Sequence, residues 1–237
     1  GALRNADYRT TLPNWYVDTF GGTDRINVQG MLVQFMLVDG LNFGFGLPVS
    51  TTASDTVDYT LSGIDLGFAY TITDIGKLTA LVRMNEAYDQ DGDPLTLGDN
   101  ATDALMINVG FSFTGVEGLT ANVLGKYVSS ADLDMGDMFV AVGADYAVTE
   151  AITAMAEFGL SNVADVTTWD IWARGKYVIT DMFYAYATVT FNSDDVFSVI
   201  ATPGIDFGNG FNVELDVGYD SDIDFVYDVY FYYAVAF

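Results

Sequence analysis

Ile64-Asp65-Leu66-Gly67-Phe68-Ala69-Tyr70-Thr71-Ile72 places a large apolar residue at every even position and a small or polar one at every odd position. Side chains alternate faces only along a β-strand, so this stretch predicts a strand with one apolar face. The same parity recurs in Leu105, Ile107, Val109, Phe111 and Phe113, in Phe183, Ala185, Ala187, Val189 and Phe191, and in Phe211, Val213, Leu215, Val217 and Tyr219. No convincing 3.6-residue apolar stripe runs beside it, so the chain reads as all-β.

Turn signals divide these strands in two alternating sets. Val38-Asp39-Gly40, Thr73-Asp74-Ile75-Gly76, Gly115-Val116-Glu117-Gly118, Thr149-Glu150, Thr180-Asp181 and Gly208-Asn209-Gly210 are short and supply the residues that tight hairpins favour. The other set, at 50–57, 88–102, 129–136, 161–165, 192–195 and 219–223, is longer and more acidic. Tight turns at one end and longer loops at the other describe an up-and-down meander. Thirteen strands are predicted between about Arg25 and Phe237. Residues 1–23, with Pro13 and Trp15-Tyr16, read less regularly, as a first strand or a lumen segment. Single-chain bacterial barrels favour even strand numbers, so about 14 strands are expected, or 12 if two segments form one bent strand. No linker or composition shift divides the 237 residues, which read as a single domain.

The composition narrows the chemistry. There is no Cys and no His, which removes disulfides, thiolate metal sites, imidazole bases and Ser-His-Asp triads. Thirty-three acids against eight bases give a net charge of -25, which excludes a nucleic-acid surface. The run Asp89-Gln90-Asp91-Gly92-Asp93 begins like a calcium loop, but Pro94 and Asn100 stand where an EF-hand needs Gly and Glu. No metal, cofactor or catalytic residue is predicted. Uncharged stretches such as 26–38 and 41–54 reach only about 14 residues, short of the roughly 20 of a transmembrane helix. The chain starts without an initiator Met or a secretory leader, as a mature form or a fragment does.

The remaining question is what covers the apolar face. A soluble sandwich would present a polar face rich in Lys, Glu and Arg, yet the whole chain has three Lys. It would also need a second apolar layer, and no helices are predicted to supply one. A bilayer covers an apolar exterior, while closure into a barrel pairs every backbone N–H and C=O. Tyr59, Tyr70, Tyr127, Tyr146, Trp169, Tyr177, Phe191, Phe207, Phe211 and Tyr219 lie at strand ends, where interfacial girdles form. The expected fold is a closed antiparallel up-and-down transmembrane β-barrel.

Phe225, Tyr227, Val229, Phe231, Tyr233, Val235 and Phe237 form one apolar parity ending on Phe. This resembles the terminal strand of Gram-negative outer-membrane β-barrels, and the hairpin pattern agrees with that family over most of the chain. The stretch from Leu66 to Leu78 also resembles hairpins of spirochaete-type and other porin-like proteins. The resemblance implies a bacterial outer-membrane location. It also implies that the barrel-assembly machinery reads Phe231, Tyr233, Val235 and Phe237.

The opposite parity would line the lumen. It carries the bases Arg83, Lys126, Arg174 and Lys176 and the acids Asp65, Asp145, Glu157, Asp170, Asp206, Glu214, Asp216 and Asp228. Of these, Arg83, Lys126, Glu157, Arg174, Lys176, Glu214, Asp216 and Asp228 are the candidate pore-lining residues, with bases expected on one wall and acids on the other. The function expected is passive diffusion of small hydrophilic solutes with weak cation preference. The alternatives are a structural or adhesive barrel with an occluded lumen, or a transporter of apolar molecules. Expected partners are outer-membrane lipid, the assembly machinery, small solutes and, in a homo-oligomer, further copies of the chain; nucleic acid is not one.

Overall fold

The structure, a computed structural model, describes residues 30–48, 65–84, 105–129, 137–163, 166–208 and 210–233. These form thirteen strands: β1 (Gly30–Val38), β2 (Leu41–Pro48), β3 (Asp65–Ile72), β4 (Gly76–Met84), β5 (Leu105–Val116), β6 (Leu119–Ser129) and β7 (Asp137–Ala147). The series continues with β8 (Ile152–Val163), β9 (Val166–Val178), β10 (Phe183–Asn192), β11 (Phe197–Asp206), β12 (Phe211–Asp220) and β13 (Asp224–Tyr233). All belong to one antiparallel sheet in which spatial order equals chain order. The all-β, up-and-down reading of the sequence is borne out. The further strand expected in residues 1–23, Tyr59, and Val235 and Phe237 lie outside the described residues. Among the described residues, no helix is long and apolar enough to cross a membrane.

Local chemistry explains the hairpins. Gly40 adopts a φ of +80°, left-handed backbone that a side chain would strain, and the two-residue Asp39-Gly40 turn requires it. Two later turns rest on the same hydroxyl device. Thr149 Oγ1 accepts from the amides of Ala151 and Ile152 at 3.2 and 3.0 Å. Thr180 Oγ1 accepts from Met182 and Phe183 at 3.2 and 3.1 Å. A Thr hydroxyl that bonds the backbone two and three residues on folds the chain back locally. At the opposite end, Asn192 Oδ1 accepts from Asp194 and Val196 at 3.0 and 3.2 Å.

The two faces differ as the parity requires. Val109, Val123, Val142, Phe158, Ile171, Val189, Val199 and Leu215 are exposed on the outer face. Their sequence neighbours Asn108, Asn122, Glu157, Thr188 and Ser198 on the inner parity are buried, as is Thr202 of the same parity. A water-facing sheet would show the reverse. Aromatic residues gather where the outer band meets the strand ends. Trp169 and Phe191 meet edge to face at 5.2 Å, and Phe197 and Tyr219 lie 5.6 Å apart, all at the end opposite Gly40. The connections 193–196 and 221–223 there are no longer than 148–151 and 179–182 at the other end, contrary to the contrast in loop length expected from the sequence. At the tight-turn end Phe207 and Phe211 lie 5.5 Å apart, and Tyr70, Tyr146 and Tyr177 are exposed on the same rim. Two aromatic rims flanking an aliphatic band match the profile of a bilayer, where amphipathic rings sit at the headgroup level.

Candidate functional site

The inner face of the described residues collects charge, aromatic rings and hydroxyls together. Cross-strand hydroxyl pairs knit it: Ser161 with Thr168 at 2.6 Å, Thr190 with Ser198 at 2.6 Å, and a short Ser112 to Asn122 bond. Pairs like these stabilise a sheet face without adding bulk.

Three of the described bases lie against rings. Lys126 pairs across the sheet with Asn108 and Phe139, and its ammonium is 5.7 Å from the Phe139 ring centroid. Arg174 lies 5.1 Å from the Trp172 ring and 5.0 Å from Tyr186, and its Nε donates to Thr188 Oγ1 at 2.9 Å. Lys176 is 5.5 Å from both the Tyr184 and Tyr186 rings. A cation over a ring face is held electrostatically while its head remains available to solvent or solute. The backbone of Arg83 pairs with Asp65 and Met106, which places it in register with Met106 of the inner row.

The acids occupy three kinds of setting. Glu157 is 3% exposed, between Gly143 and Trp172 in the register. Glu214 Oε1 accepts from Tyr184 Oη at 2.8 Å and from Tyr232 Oη at 2.9 Å. Tyr184 can reach it because Gly204 stands between them: Tyr184 pairs with Gly204, which pairs with Glu214. A methyl on Gly204 would run into the Tyr184 ring. Asp216 accepts from Thr202 Oγ1 at 2.5 Å and faces Asp228 directly across β12 and β13.

Sequence reasoning did not single out the inner-face rings Trp172, Tyr184, Tyr186, Tyr230 and Tyr232. Their signal was present, since Tyr184 and Tyr186 alternate with the apolar outer parity of β10. The inner face of β4 to β7 mixes buried apolar residues with the buried Thr79, Asn108 and Asn122. Leu81, Met106, Leu124 and Ala141, on β4 to β7, are 1–4% exposed. Among the described residues, no cluster of acids, His or Cys could hold a metal ion.

No protein-family model and no curated protein matches the sequence. Solved structures do show similarity. KdgM porin in complex with disordered oligogalacturonate is similar over 73% of this chain and 94% of its own, with a TM-score of 0.41 and 9% identity. A mutant of Rh. blastica porin is similar over 82% of this chain and 74% of its own, with a TM-score of 0.48 and 15% identity. These structural neighbours are porins.

Proposed function

We propose that this chain is an outer-membrane diffusion pore for small hydrophilic solutes, with a modest preference for cations and no catalytic role. The observation that carries this reading is the sorting of the two faces. Large aliphatic residues are exposed on the outside between two aromatic rims, while Lys126, Arg174, Lys176, Glu214, Asp216 and Asp228 share the inside. Lipid covers the first surface, and an aqueous lumen accommodates the second. In this reading Arg83 and Glu157 complete the lining, and the excess of acid favours cations. Phe231 and Tyr233 stand on the lipid face as the described part of an assembly signal completed by Val235 and Phe237.

The second reading is a barrel with an occluded lumen, favoured by the buried Leu81, Met106 and Leu124 on the inner wall. Single-channel recording in a planar bilayer separates the two. A pore gives discrete ohmic steps that grow with salt concentration, whereas an occluded barrel inserts without conducting.

A further inference from the structure

We propose that the inner wall from β9 to β13 is a binding strip for short zwitterionic solutes, di- and tripeptides with free termini. This deepens the pore reading and rests on it. Its origin is one row of the sheet. Lys176 pairs with Tyr186, Tyr186 with Thr202, Thr202 bonds Asp216, and Asp216 pairs with Asp228. A cation therefore stands at one end of a continuous row and two carboxylates at the other, with a tyrosine and a threonine between them.

Among the described residues neither end is paired with a group of opposite charge. Arg174 and Lys176 are held by rings, and among the described residues neither pairs with a carboxylate. Arg174 spends its Nε on Thr188, which leaves the two terminal nitrogens that fork onto a carboxylate. Asp216 and Asp228 are like charges directly opposite each other, an arrangement that costs a sheet stability unless a cation comes between them. Asp228 is exposed, and Asp216 spends one oxygen on Thr202. Glu214 differs, because Tyr184 and Tyr232 already donate to it.

The spacing selects the solute. β9 and β12 are three strands apart, about 14 Å between backbones. Lys176 leans inward over the β10 rings and Asp216 inward to Thr202 on β11, which shortens that span toward the length of two or three residues of extended peptide at about 3.5 Å each. Tyr184 and Tyr186, with ring centroids 5.3 Å apart, form the floor beneath. The peptide carboxylate lies at Arg174 and Lys176, and its ammonium at Asp216 and Asp228.

The test uses the full chain, refolded in detergent and in planar bilayers at low salt. Tri-alanine is compared with N-acetyl-tri-alanine and with tri-alanine amide, each of which keeps only one charge. Binding is read from tryptophan fluorescence, to which Trp172 beside Arg174 contributes, and from current block. Tri-alanine is expected to bind about tenfold more tightly than either capped form. The double substitution R174Q/K176Q should remove its advantage over the amide, and D216N/D228N its advantage over the acetylated form. Equal affinity of the wild-type chain for all three peptides overturns the strip, with no variant needed. A conducting chain that does not discriminate loses the strip and keeps the pore. Discrimination by fluorescence in a chain that passes no current keeps the strip and removes the pore.

Discussion

Val229 and Tyr230 are adjacent in β13 and almost equally exposed, at 53% and 47%, yet they stand on opposite faces: Val229 pairs with Leu215 and Tyr230 with Glu214. In water two such sites would tolerate a charge about equally. In a bilayer they would not. Val229→Arg should cost about 2–4 kcal/mol near the bilayer midplane. Tyr230→Arg, set opposite a carboxylate in the lumen, should cost much less. Reversible unfolding in lipid vesicles measures both, and equal costs would mean that the outer parity does not face lipid. Leu215→Arg and Val109→Arg should behave like Val229→Arg.

The glycines offer a graded test of packing. A methyl at Gly218 meets the backbone of Val199 and Ile200, which cannot move aside, so Gly218→Ala should cost about 1–3 kcal/mol. At Gly125 and Gly175 a methyl would meet nothing within 4 Å, and Ala there should be neutral or stabilising by about 0.4–1 kcal/mol. Denaturant midpoints of the three variants check the order.

Gly204→Ala should displace the Tyr184 ring and break its bond to Glu214. Its effect should therefore depend on the tyrosine. A double-mutant cycle with Tyr184→Ala should return a coupling of about 0.5–3 kcal/mol. Additive losses would show that glycine and ring act separately.

The parity of β5, β10 and β12 was legible because a period of two is a property of the strand itself. The tight turns were legible because Asp39-Gly40, Thr149 and Thr180 fold the chain through their own atoms. The cross-strand partners were not. Parity assigns Tyr184, Gly204 and Glu214 to one face but leaves the stagger between strands open, and that stagger lays the ring over the glycine. Lys176 and Asp216 share a row for the same reason, through the stagger of β9 to β12, and the β11–β12 register is the same on both sides of Pro203. The burial of Leu81 and Met106 on the inner face was not legible either, since apolar residues of the inner parity interrupt the alternation only singly.

Assembly should depend on Phe237. Deleting Phe237, or substituting Phe237→Asp, should lower the amount of protein inserted in cells while leaving refolding into detergent unchanged. Heat-dependent gel mobility of membrane fractions reads the first, and the same assay on purified protein reads the second. Normal insertion of both variants would assign the assembly signal elsewhere.

The most direct measurement is the reversal potential of the unmodified chain in a planar bilayer under a KCl gradient at low salt, where screening is weak. An aqueous lumen in which acids outnumber bases predicts steady single-channel current with a reversal potential of the sign given by K⁺ preference, reduced in D216N/D228N. A membrane-inserted chain that passes no current, or one whose reversal potential shows Cl⁻ preference, would contradict it.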